Sequence, residues 1–140
     1  MDDSELNPLE VFAEFENDDG ATYVDVRAVA EFAVRHPKVT RVVNIPTVFF
    51  HPTTKQTHPN DSFLLVANDV FAKDARLIIG ADGGDRAADA ARALREDGFT
   101  HVSVMMQGLE GWGRYDLPVT ADNRPGTSYV SLLTPAKRRK

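Results

Sequence analysis

The apolar positions of this chain fall into blocks of two periods. Phe63, Val66, Ala67 and Val70 recur at i, i+3, i+4 and i+7, the stripe of a helix with one core-facing side. Ala87, Ala90, Ala91 and Leu94 repeat that pattern, and Gly98 is placed to end the helix they predict. Around these stripes lie runs rich in β-branched and aromatic residues, at Ala21 to Val26, Val42 to Ile45, Leu77 to Ile79 and His101 to Met105. Such runs suit buried strands. Pro46 stops the second run, because proline cannot donate to a sheet ladder.

The flanking residues set the remaining boundaries. Asn7, Pro8 and Glu10 have the form of a helix start, with a capping side chain, proline at the first helical position and an acid near the positive end of the helix dipole. They predict a helix from about Pro8 to Phe15, ended by Asp18, Asp19 and Gly20. A second helix follows Arg27 and runs to about Val34. His51 to Asn60, rich in Thr, Pro and His, reads as a loop whose last residue caps the Phe63 helix. Gly108 and Gly111 mark turns, and Trp112 close behind them reads as a packing anchor. Strands alternating with helices predict an α/β fold of three layers, a central parallel sheet flanked by helices.

Composition narrows the function classes. With 140 residues, 42% of them hydrophobic and 26% charged, the chain has the material for one hydrophobic core. A net charge of -5 argues against general nucleic-acid binding, which needs a strong basic footprint. The charge is uneven: the first twenty residues carry eight acids and no Lys or Arg, whereas the chain ends Lys137, Arg138, Arg139, Lys140, a basic tail read as solvated. The acidic start does not resemble a signal peptide, and no stretch is apolar enough to cross a bilayer, so the expectation is a cytoplasmic protein with no membrane partner. There is no cysteine, which excludes disulfides, thiolate metal sites and persulfide chemistry. His51 and His58 lack a surrounding ligand set, so neither a metal nor a cofactor is expected.

Several short motifs occur in one order. Asp25-Val26-Arg27 is followed by Glu31-Phe32, His36 and Asn44-Ile45-Pro46, then by Phe63-Leu64, Phe71 and Lys73-Asp74. Next come the loop Ala81, Asp82, Gly83, Gly84, Asp85, Arg86 and a helix carrying Ala90, Ala91, Leu94, Gly98 and Phe99, with Gly108 to Trp112 beyond it. In this order and spacing the chain resembles a rhodanese-like domain of the single-domain thiosulfate sulfurtransferase type. The departures are Arg35 in place of a usual glycine, a slightly longer loop after His36, and Ala81 where the family carries its reactive cysteine. The resemblance implies a rhodanese-like domain over residues 1–118 and a C-terminal extension with its basic tail over 119–140.

It also implies a consequence for the chemistry. A thiolate is the nucleophile and sulfur carrier of that family, and a methyl group can do neither task. The loop from Ala81 to Arg86 is then vestigial: an anion cradle of backbone N–H groups without a nucleophile, into which Asp82 and Asp85 bring repelling charge. Arg86 has two readings, an anion ligand or a partner for a carboxylate under the loop. Asp25 and Arg27 are read as organising the strand end, and Asp85 as a helix cap. The expected function is a catalytically inactive binding or regulatory module for a protein or small ligand that the sequence does not identify. The alternative is a thiosulfate sulfurtransferase whose cysteine has been exchanged for Ala81. Tyr129 to Leu133 is open to three placements: on its own domain, at a sheet edge or on a partner.

Overall fold

The computed structural model describes residues 5–17, 20–51, 53–83 and 85–139. Its elements in chain order are β1 (Glu5–Leu6), α1 (Pro8–Glu16), β2 (Thr22–Asp25), α2 (Val29–Val34), β3 (His36–Pro37), β4 (Val42–Asn44), β5 (Val48–Phe50), β6 (Thr57–Pro59) and α3 (Phe63–Val70). There follow β7 (Arg76–Gly80), α4 (Arg86–Glu96), β8 (His101–Met105), α5 (Gly108–Arg114), β9 (Val119–Thr120) and α6 (Tyr129–Arg139). Three sequence readings fall outside the described residues: Asp18 and Asp19 as the end of the first helix, Gly84 in the loop, and Lys140 at the end of the basic tail.

Five strands form a parallel sheet in the order β1-β8-β7-β2-β4. The side-chain period of two divides the core. Leu77 and Ile79 of β7 face a layer made by α3, α4 and α6, whereas Ile78 faces Val11, Phe15 and Trp112 of α1 and α5. Both faces are covered, which explains why the strands read as continuous apolar runs. Arg76, at the start of β7, reaches across the second face and pairs with Glu14 of α1 at 2.9 Å, fixing that helix to the sheet.

The start of α1 has the predicted chemistry: Asn7 Oδ1 accepts from the Glu10 amide, and the Glu10 carboxylate accepts from the Asn7 amide, both at 2.8 Å. Elsewhere the structure corrects the sequence reading. His51 to Asn60 is not a plain loop; its second half is β6, which pairs antiparallel with β5 and sets Phe49 opposite His58. The cap position of the following helix is Ser62 rather than Asn60, although Asn60 Oδ1 accepts from the Ser62 amide at 2.9 Å; the buried Asn60 Nδ2 donates to the Pro46 carbonyl at 2.8 Å and the Tyr129 hydroxyl at 2.9 Å. Gly108 and Gly111 lie in a short helix rather than in separate turns. Tyr129 to Leu133 opens α6, which packs on its own domain: Tyr129 and Ala136 are buried in the core under α3.

Candidate functional site

The loop from Ala81 leaves the carboxyl end of β7 at Gly80 and enters α4 at Arg86. Ligand sites of open α/β sheets form at this edge. Ala81 is 2% exposed, its methyl part of the core against α4. Its carbonyl accepts from the Leu109 amide at 2.9 Å, which ties the loop to α5. The contact is close: a Cβ on Gly108 would lie 2.3 Å from the Asp82 carbonyl carbon and 2.4 Å from the Gly83 nitrogen. Gly83 has φ +144, a conformation that side-chain-bearing residues resist. Glycines on both sides of the contact therefore permit the loop and α5 to touch through their backbones.

Arg86 resolves its two readings. Its Nη1 donates to Glu31 Oε1 at 2.9 Å, and its Nη2 donates to Glu31 Oε2 at 3.2 Å and to Asp82 Oδ2 at 2.9 Å. Burial opposes the guanidinium charge, but the two carboxylates outweigh it and hold the pKa above its ordinary value. Glu31 Oε1 also accepts from the Ala28 amide at 2.9 Å, at the start of α2. Burial pushes the Glu31 carboxyl up; the bonds from Arg86 and Ala28 pull it further the other way, below the ordinary range. The guanidinium beside the loop is thus occupied by the chain's own acids. Asp85 takes the cap position of α4, yet its side chain accepts no capping hydrogen bond and stays exposed.

Beneath the loop, Asp25 and Arg27 form a buried fork. Arg27 Nε donates to Oδ1 at 3.0 Å and Nη2 to Oδ2 at 2.9 Å, while the Arg27 amide donates to Oδ1 at 3.0 Å. The same guanidinium donates to the Arg35 carbonyl, and the Asn44 amide side chain bridges the Asp25 and Arg27 carbonyls at 3.0 Å each. Burial pushes the Asp25 carboxyl up against the pull of Arg27. These residues join the ends of β2 and β4, with no opening toward the loop's cavity. His36 is fully buried, stacked on Phe32 at 3.7 Å, with Nδ1 donating to the Phe32 carbonyl at 3.0 Å. Trp112 is buried as a packing anchor, its indole N–H donating to the Pro118 carbonyl at 2.7 Å.

A cavity of about 390 Å³ opens beside the loop, with Ala81, Gly83 and Asp85 on one wall and Arg92, Met106 and Gln107 among the others. His51 lies elsewhere and serves its own turn, where Nδ1 accepts from the Thr53 and Thr54 amides at 3.2 Å. Glu31 is the residue whose importance the sequence understated. It stands 55 positions from Arg86, and only the fold brings the two together.

This loop, set at the carboxyl edge of a five-stranded parallel sheet, agrees with comparisons to known proteins. The family profile described as rhodanese-like domain matches residues 9–115. The chain is 33% identical over 100 residues to rhodanese-like domain-containing protein 15, chloroplastic, of Arabidopsis thaliana, covering 71% of this chain and 53% of that protein. It is 32% identical over 100 residues to thiosulfate sulfurtransferase GlpE of Haemophilus influenzae, covering 71% of this chain and 80% of that one. Among solved structures, Rv0390 of M. tuberculosis superposes with a TM-score of 0.68 at 24% identity over 84% of this chain and 97% of its own. The Alr3790 protein of Anabaena superposes over 96% of this chain and 89% of its own, with a TM-score of 0.67 at 16% identity. The chain belongs to the rhodanese-like domain family, whose members include sulfurtransferases. It spans about half the length of the chloroplast relative. Lacking any thiol, it has no side chain on which a persulfide can form.

Proposed function

We propose that this rhodanese-like domain is catalytically silent and works as a binding or regulatory module. The observation that carries the reading is the buried Ala81 at the base of a loop tied to α5 through the Leu109 amide. The pairing of Arg86 with Glu31 and Asp82 adds to it, since the cation that would attract an anionic sulfur donor is already matched by carboxylates. What such a loop offers is shape: a rim with exposed Asp85 and Met106 beside a cavity.

In this reading residues 1–118 are the module and 119–140 an extension docked upon it, consistent with a family match that ends at residue 115. The module works in the cytoplasm with neither metal nor cofactor, on a protein or a small ligand rather than nucleic acid or membrane. The net charge of -5 supports the exclusion of nucleic acid, and among the described residues no helix is long and apolar enough to cross a membrane.

Two measurements test the proposal. Purified protein incubated with thiosulfate and cyanide should yield no thiocyanate above a buffer blank; product proportional to protein that survives repurification overturns the silent reading. Immobilised protein should also retain partners from its source cells that an Asp85→Lys variant loses. Identical retention by both rejects the loop rim as the binding surface.

A further inference from the structure

We propose that the face made by the end of α2, the end of α5 and β9 binds a second copy of this chain in a two-fold dimer. The face carries a groove of about 270 Å³. Leu109 and Leu117 line it at partly buried positions, Val119 is exposed on it, and Arg35, Glu110 and Asp116 are its charged groups. It shares no lining residue with the cavity beside Ala81.

The groove is fastened from within the chain. Arg35 follows α2, its amide donating to the Glu31 carbonyl at 3.3 Å and its carbonyl accepting from the buried Arg27 guanidinium. Its backbone is thereby held while the residue stays exposed. On the α5 side, the Asp116 amide donates to the Gly113 carbonyl at 2.9 Å and the Leu117 amide to the Trp112 carbonyl at 3.2 Å. Beyond them β9 pairs antiparallel with β3, setting Val119 opposite Pro37. Asp116 holds a left-handed φ of 57, a conformation that Asp tolerates better than most residues.

Two features select a second copy as the occupant. First, apolar surface is left uncovered here: Val34, one residue before Arg35, is 76% exposed, and Val119 is 41% exposed. An apolar centre with a charged rim is the composition of a protein interface. Second, the free charges of the face are of both signs. Neither the Arg35 guanidinium nor the Asp116 carboxylate has an ion-pair or hydrogen-bond partner among the described residues, and although they line one groove they do not pair with each other. Glu110 is already met by Arg114 at 3.7 Å, so it adds little.

A face with one free cation and one free anion is complementary to itself. A two-fold rotation brings Arg35 of each copy to Asp116 of the other, so the same contact forms twice. A partner of a single sign would satisfy only one of the two. The dimer belongs to the weak, transient class, because the groove is small and its ion pairs form at an exposed rim.

Sedimentation velocity of the full chain at low ionic strength, from about 5 to 500 μM, tests the proposal; the expected result is a reversible monomer–dimer equilibrium with Kd on the order of 100 μM. Salt at about 0.5 M should weaken it roughly threefold or more, since exposed ion pairs are screened. Arg35→Glu alone and Asp116→Lys alone should each weaken self-association by about tenfold or more, because like charges then meet at both contacts. Mixed in equal amounts, the two variants should associate about as well as the parent, since every contact in the mixed dimer again joins opposite charges. A folding defect cannot produce that recovery. If Asp116→Lys does not fold, Asp116→Asn, which suits the same backbone, replaces it with a smaller loss and a partial recovery on mixing. A monomer at every concentration overturns the proposal, as does a dimer that neither variant weakens, or weakened variants that do not recover on mixing. The thiocyanate assay is unaffected by any of these outcomes, so this interface and the silent reading of the loop stand or fall separately.

Discussion

Arg86 at the start of α4 and Glu31 in α2 face each other through two parallel hydrogen bonds, at 2.9 and 3.2 Å, across the mouth of the loop. The pair joins two helices that share no other ion pair among the described residues, and Asp82 makes the guanidinium a bridge to the loop as well. Truncation by Arg86→Ala leaves two carboxylates facing each other. We expect a loss of about 1 to 2 kcal/mol, since the group is partly exposed and solvent moderates the effect. Urea midpoints of the two proteins measure it.

The same pair gives a pH dependence whose sign is fixed. The Glu31 pKa lies below its ordinary value of 4.5 in the folded chain, so its contribution is complete above that value and disappears as pH falls through the lower folded one. Glu31→Gln should therefore be less stable than the parent at neutral pH, with the gap narrowing in acid. Unfolding curves across the acid range check this; a gap that widens below the ordinary value contradicts the assignment.

Gly108 is the tightest point of the loop's support. A methyl there would meet the Asp82 and Gly83 backbone, and the residue holds φ +58 as well. Gly108→Ala should cost about 3 kcal/mol or more, combining overpacking with a left-handed backbone. Gly113, which has open space around it, should accept alanine with no steric loss. Thermal unfolding of the two variants side by side separates these cases.

Tyr23 presents the opposite situation. Its hydroxyl is buried without a hydrogen-bond partner, pressed against the Gly80 position, and burial raises its pKa well above the ordinary value. Tyr23→Phe should be at least as stable as the parent, because it removes an unsatisfied group and leaves the ring. Gly80→Ala should be strongly destabilised, since its Cβ would lie 1.8 Å from that oxygen. Denaturant unfolding of both variants decides the matter.

Restoring the missing atom should not restore the chemistry. A thiol from Ala81→Cys would be buried beside Asp82, and burial and the nearby acid both raise a thiol pKa. The single variant should show little or no thiocyanate formation, and adding Asp82→Ser and Asp85→Gly should increase it. Near-full activity from the single change would favour the alternative reading, an active sulfurtransferase with its cysteine exchanged.

The part of the site legible in sequence is the part whose physics is local. A strand, a glycine-bearing loop and an alanine-striped helix follow one another in β7, the loop and α4, and each carries its own signal. What escaped depends on distant partners. The helix α5 contains Gly108, Gly111 and Gly113, a composition that disfavours helix, yet Gly108 lets it sit against the loop and Gly111 lets it sit against Pro8 of α1. The β5 and β6 hairpin hides in a segment rich in Thr, Pro and His, where Lys55 adopts a left-handed φ of 63 that no composition rule flags. Strands β1, β3 and β9 have two residues each and are fixed by their neighbours rather than by any periodicity.

The rim of the loop's cavity also sets how oxidants act on this chain. Where relatives with a reactive thiol are open to sulfenic and sulfinic conversion, the sulfur here is thioether alone. Met105 is buried at 2% exposure, whereas its neighbour Met106 is 42% exposed on the cavity wall. Oxidation therefore falls on Met106 before Met105, turning a flexible apolar wall into a polar one, and the change is reversible by sulfoxide reduction rather than by thiol exchange.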